Sequence, residues 1–195
     1  MSDANIAAAA MPVIAALERL GVEYYICGSV ASSIHGLPRS TLDVDMVAAL
    51  DRSHVDSLVA ALRNDYYIDA GMIRRAIERR ASFNVIHLAT MLKIDVFVAK
   101  QTPYDLQALR RAGHGVLDDG ENPVKLASAE DTALAKLVWF RAGGEASERQ
   151  WHDILGIFRV HGARLDIEYM RRWGSDLGVA YLLAKCLEEA GLADR

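Results

Sequence analysis

The sequence has little of the chemistry that short motifs usually announce. It holds only two cysteines, Cys27 and Cys186, far apart and without a CxxC spacing. That excludes a disulfide-stapled scaffold and a cysteine zinc site, and reads as a reduced, cytoplasmic chain. Its six histidines show neither an HExxH nor a Cys-His spacing, so zinc hydrolase chemistry has no support. There is no GxSxG elbow and no P-loop lysine motif, and Gly113-His114-Gly115 lacks the third glycine of a dinucleotide fingerprint. No apolar run reaches the roughly 18 residues that a membrane span needs. The alanine-rich stretch from Ile6 to Leu17 follows Asp3, has no basic leader and runs into Glu18-Arg19, which reads as an amphipathic helix rather than a signal peptide. A net charge of −4 argues against a surface built throughout for nucleic acid, although a local basic groove is compatible with it. There is no internal repeat.

What is present is enough apolar material for a core: 195 residues, 52% of them hydrophobic, suit one globular unit or two small lobes. The pattern predicts a helix over 4–20, a strand at 24–27, a short helix over 30–36 and a strand over 42–50. It continues with a helix over 51–63, a helix or solvated loop over 72–80, and strands over 82–88 and 91–99. A helix over 103–111, an apolar patch around Val116 and a strand-like 124–126 follow. Beyond Ser128, an N-cap with Asp131 three residues on, every element reads as helix: 147–159, 166–172 and 179–190 after the first. The expected architecture is α/β (α+β), a small mixed β-sheet lobe over residues 1–127 followed by a helical lobe over 128–195.

One combination stands out. The apolar run Tyr24-Tyr25-Ile26-Cys27 ends in Gly28-Ser29, and after thirteen intervening residues comes Asp43-Val44-Asp45. In a strand, Asp43 and Asp45 project from one face while Val44 and Met46 point the other way. Two acids on one half-buried face repel each other unless a cation sits between them. A third acid, Asp95, lies in Lys93-Ile94-Asp95-Val96-Phe97-Val98, another alternating strand that places it beside the first two if the strands pair. An isolated Asp-x-Asp is more often a solvent-facing pair; the joint occurrence points to phosphoryl chemistry. Mg²⁺ prefers carboxylate and phosphate oxygens, two ions can clamp the attacking and leaving oxygens, and amides at a helix start after Gly28 can hold phosphate. Arg74, Arg75, Arg79 and Arg80 read as a solvated helix face before a phosphate or RNA contact, and His35 as a helix-end residue satisfied locally.

These residues resemble the nucleotidyltransferase superfamily related to DNA polymerase beta. Gly28-Ser29, Asp43, Asp45 and Asp95 match its signature, and Arg39-Ser40-Thr41 ahead of the first acid looks like the bacterial minimal and abortive-infection toxin-like branches. The resemblance covers roughly residues 20–160. It implies that Asp43, Asp45 and Asp95 hold two Mg²⁺ ions, with Asp95 able to take a proton from an acceptor hydroxyl. It places Gly28, Ser29, Arg39 and Thr41 at the nucleotide. Lys136 and Asp153 resemble the supporting positions of the family's helical segment, although the Arg-Asp pair usual there reads His152-Asp153 here; Lys136 reads equally as an exposed helix residue. The implied function is transfer of a nucleoside monophosphate from an NTP such as ATP to a hydroxyl on tRNA, a protein or a small molecule such as an antibiotic, with a toxin-antitoxin partnership in view. From another class, a nucleotide-binding antitoxin or regulatory module without turnover is the alternative. Retention of three repelling acids disfavours it.

Overall fold

Period-two alternation builds the centre of the sheet. In the computed structural model, which describes residues 3–38, 40–41, 43–117 and 123–193, strands β2 (Asp43–Ala48) and β5 (Lys93–Val98) each run half-buried, buried, half-buried along their length. That is the signature of strands covered on one face. With β1 (Tyr24–Cys27), β3 (Tyr66–Tyr67), β4 (Ser82–His87), β6 (Gly113–Val116) and β7 (Pro123–Leu126) they form a mixed sheet in the order β3-β4-β5-β2-β1-β7-β6. β2 is parallel to β5 and β1 to β7; the other neighbours are antiparallel. The expected α/β class is therefore found. β3 was not foreseen, because two residues are too few to show a period. Leu42, expected to begin β2, lies outside the described residues.

The chain divides into two compact units, Met1–Ser29 with Ser40–Leu126, and Val30–Arg39 with Ala127–Arg195. In the first, helices α1 (Asp3–Arg19), α3 (Val55–Leu62) and α4 (Ala70–Arg79) pack in succession, α1 also against β2 and α4 against β4. The face they cover is dry: Val44, Met46, Phe83, Val85, Ile94 and Val96 are at most 4% exposed. Each such side chain contributes about 1.5–3 kcal/mol by leaving water, so stability comes from this face. The buried Tyr66 hydroxyl donates to the Ala9 carbonyl at 2.6 Å, tying β3 to α1. The segment read as helix or loop is α4, capped by Asp69, whose carboxylate accepts from the Met72 amide at 2.6 Å. Its arginines are exposed and Arg74 pairs with Asp56 at 2.5 Å, which makes them the solvated face. Helix α5 (Pro103–Arg111) follows, started by Thr102. No helix among the described residues is long and apolar enough to cross a membrane.

Helix α2 (Gly28–His35) starts in the first unit and continues in the second, which otherwise consists of α6 (Ala129–Ala142), α7 (Glu148–His161), α8 (Ile167–Asp176) and α9 (Ala180–Glu189). Ser128 caps α6 as expected, its hydroxyl accepting from the Asp131 amide at 3.0 Å. Within this unit α6 packs on α7, α8 and α9 around Leu134, Leu137, Ile157, Phe158 and Met170. His35 is satisfied, but not locally: its Nε2 bonds the Ala127 carbonyl at 2.7 Å, 92 residues away in sequence. Immediately after it, Gly36 lets the chain lie against the α7 backbone. A Cβ at Gly36 would stand 2.9 Å from the Ser32 carbonyl oxygen and 3.1 Å from the Ile157 nitrogen. Both neighbours are backbone and cannot yield by turning a side chain. Gly36→Ala should therefore cost about 1–3 kcal/mol, whereas Gly113→Ala, whose Cβ meets nothing within 4 Å, should leave stability unchanged in urea denaturation; equal effects would refute the close packing of 36 on α7.

Candidate active site

Strand register brings the acids together. In the parallel pair β2–β5, Asp45 is the Cα partner of Asp95, and Asp43 is the partner of Lys93. In the antiparallel pairs, Cys27 lies beside Asp45 and Asn84 beside Asp95. Neighbouring strands are about 4.8 Å apart, so three carboxylates and one ammonium share a two-by-two patch on the half-exposed face. Like charges directly opposite are destabilising. The expectation that Asp95 stands beside Asp43 and Asp45 holds.

Each carboxylate is positioned by a different device. Burial raises the Asp45 pKa to about 6, the charges of Asp43 and Asp95 add to the rise, and the Ser29 amide hydrogen bond and Lys93 oppose it. Gly28 makes this contact possible. Its φ is +62°, and a Cβ there would stand 1.9 Å from Asp45 Oδ2, so the turn needs glycine on both counts. The Ser29 amide, at the first turn of α2, is aimed at Asp45. Thr41 is 7% exposed and its hydroxyl donates to Asp43 Oδ1 at 2.9 Å, which orients the first acid. Asp95 is held by Lys93, Nζ to Oδ2 2.6 Å, with side chains 21% and 44% exposed. That hydrogen bond raises the Lys93 pKa against the smaller desolvation effect, and the charges of Asp95, Asp43 and Asp45 raise it further, so the ammonium stays charged. Burial pushes the Cys27 thiol well above its usual range, with the Asp45 charge adding to it. A thiolate nucleophile is thereby excluded at this spot.

Among the described residues, no three His, Cys, Asp or Glu side chains form a ready-made metal cage. Mg²⁺ does not require one. It is commonly held by one or two carboxylates together with substrate phosphates and water. Asp43 and Asp45 supply oxygen donors on an open face, and the repulsion that lifts the Asp45 pKa is what a divalent cation relieves. The residues fit the ion.

Of the other sequence candidates, Arg39 lies outside the described residues. Lys136 and Asp153 belong to the second unit, where they pair with each other, Nζ to Oδ2 2.9 Å, with side chains only 12% and 11% exposed. The reading of Lys136 as an exposed helix residue is thus corrected; the carboxylate partner makes its burial affordable. Sequence reasoning missed Lys93, although its place two residues before Asp95 on one strand puts both on the same face. Asn84 carried no sequence signal, since only strand pairing sets it opposite Asp95.

No protein-family model and no curated protein sequence matches the chain. In structure it resembles nucleotidyltransferases. The antibiotic-resistance factor ANT(2'')-Ia in solution matches with a TM-score of 0.60 at 13% identity, over 92% of this chain and 96% of that one. ANT(2'')-Ia in complex with adenylyl-2''-tobramycin matches with a TM-score of 0.58 at 15% identity, over 88% and 98%. An antigenic nucleotidyltransferase-like protein from Paracoccidioides brasiliensis aligns over 88% and 90% at 19% identity and a TM-score of 0.49. The chain has the nucleotidyltransferase fold, in agreement with the resemblance of its Gly-Ser and Asp-x-Asp residues to the polymerase-beta-like superfamily.

Two outcomes follow from this geometry. A carboxyl whose pKa rises on folding from about 3.9 to about 6 binds more protons folded than unfolded between those values. Metal-free stability from Asp45 is thus fully present below about pH 4 and is lost as pH rises through about 6. The melting temperature of Asp45→Asn in EDTA, relative to wild type, should therefore climb across that window; a difference that stays flat would show that Asp45 ionises without penalty. Separately, Asp153→Ala leaves Lys136 charged and enclosed, and should cost about 3–5 kcal/mol, while Lys136→Met with Asp153→Leu recovers most of it. Urea denaturation with a single-variant loss below about 1 kcal/mol would contradict this.

Proposed function

We propose that the protein is a Mg²⁺-dependent nucleotidyltransferase that moves a nucleoside monophosphate from an NTP, ATP being the first to test, to an acceptor hydroxyl in the cytoplasm. The observation that carries the reading is the register that sets Asp45 beside Asp95, with Asp43 one residue away, on the open face of a nucleotidyltransferase-fold sheet. Asp43, Asp45 and Asp95 would hold the metal, Thr41 orients Asp43, and Gly28 with Ser29 approaches the triphosphate. Two Mg²⁺ ions, when bound, supply charge neutralisation on the attacking and leaving oxygens. Asp95 accepts the proton as the acceptor oxygen bonds to the α-phosphorus. The bond from that phosphorus to the bridging oxygen breaks, and pyrophosphate leaves. The α/β part over 1–127 carries this chemistry, while in the helical part over 128–195 the Lys136–Asp153 ion pair joins α6 to α7.

For the acceptor, we favour a hydroxylated small molecule, because ANT(2'')-Ia, similar along nearly its whole length, is known in complex with adenylyl-2''-tobramycin. Incubation of the protein with α-labelled NTPs, Mg²⁺ and either an aminoglycoside panel, tRNA or total cell protein tests the reading. Label should appear on a small molecule in Mg²⁺ and not in EDTA. Asp45→Asn and Asp95→Asn should each lower the rate by about a hundredfold or more, and Asp153→Ala, compared as folded protein, should cost less than Asp95→Ala. Label on tRNA or protein would move the acceptor to the toxin-like class. NTP binding with no transfer to any acceptor would sink the enzyme reading in favour of a regulatory or antitoxin module.

A further inference from the structure

Among the described residues, Lys93 is the cation that register places inside the patch: it is the Cα partner of Asp43 and shares a strand face with Asp95, whose Oδ2 it touches at 2.6 Å. Without it, three carboxylates would share the patch with no neighbouring positive charge placed there by strand register. Its contact has the properties of a removable one. The pair is 44% and 21% exposed and joins one ammonium to one carboxylate oxygen, so water readily replaces either partner and the pair is weak. Lys136–Asp153, at 12% and 11% exposed, is the opposite kind, too enclosed to open without leaving a bare charge. Lysine rather than arginine suits a removable contact, because a compact ammonium on a four-carbon stem can swing away without undoing a bidentate fork.

We propose that Lys93 is a tethered, displaceable counter-ion of the carboxylate patch, holding Asp95 in the metal-free protein and competing with the divalent cation for that carboxylate. This rests on the reading of Asp43, Asp45 and Asp95 as the metal site and adds a residue that sets the metal affinity. Lys93 acts through Asp95 and is a positioning residue, not a catalytic one. Removing it takes the patch from a formal −2 to −3 and frees Oδ2, so metal binding tightens while the metal-free protein loses stability.

The test uses the full chain stripped with EDTA, and Mn²⁺ as a spectroscopically visible stand-in for Mg²⁺, titrated without nucleotide and read by paramagnetic resonance of the free ion. Lys93→Met should bind Mn²⁺ roughly tenfold more tightly than wild type, a difference of about 1.4 kcal/mol, and should melt lower in EDTA. Lys93→Arg, which keeps the charge and can grip Asp95 bidentately, should bind Mn²⁺ no more tightly than wild type. In an Asp95→Asn background, Lys93→Met should tighten Mn²⁺ binding much less than it does with Asp95 present. A merely structural lysine would lower the melting temperature and leave affinity alone, which overturns the proposal, as does tightening that persists undiminished without Asp95. Equal affinities in wild type and Lys93→Met remove the counter-ion assignment alone. Wild type that binds no Mn²⁺ either alone or with an NTP present removes the metal site and the assignment with it.

Discussion

The structure turns on one constraint: two parallel strands, β2 and β5, are registered so that Asp45 and Asp95 stand side by side, with Asp43 on the same face. An arrangement optimised for stability alone would place neutral or opposite charges there, since adjacent carboxylates oppose each other across a strand spacing. The sheet tolerates the conflict because its other face is thoroughly buried. The apolar residues alternating with the acids, Val44, Met46, Ile94 and Val96, are almost completely enclosed beneath α1, α3 and α4. The dry core and the carboxylate patch thus occupy opposite faces of the same strands, and the period of two keeps them apart.

Around the acids, local devices distribute the strain. Gly28 makes room for Asp45, the Ser29 amide and the Thr41 hydroxyl each give a hydrogen bond to a carboxylate, and Lys93 neutralises Asp95. None of them removes the burden on Asp45, whose pKa remains raised. A perturbed carboxyl on an open face, with like charges beside it, is a common mark of a site tuned for binding a cation or moving a proton. Because one fold hosts many functions, the placement of these carboxylates, rather than the fold, distinguishes the site.

By itself the sequence determined the elements whose signal is local and periodic. The alternation in 43–48 and 93–98 set which side chains share a face, Gly28 ended the first strand, and Ser128 with Asp131 started α6. Strand pairing was another matter: Asp43 and Asp95 are separated by some fifty positions, and no local pattern states which strands become neighbours or in which register. Only the tertiary structure decided that β5 lies parallel to β2 with Asp95 beside Asp45, that Asn84 comes alongside, and that His35 bonds a carbonyl 92 residues away. It also decided that Lys136 is enclosed with Asp153 rather than exposed. The physical reason is common to all of these: burial and pairing are properties of what packs against a residue, and a chain encodes those neighbours through the fold as a whole rather than through adjacent letters.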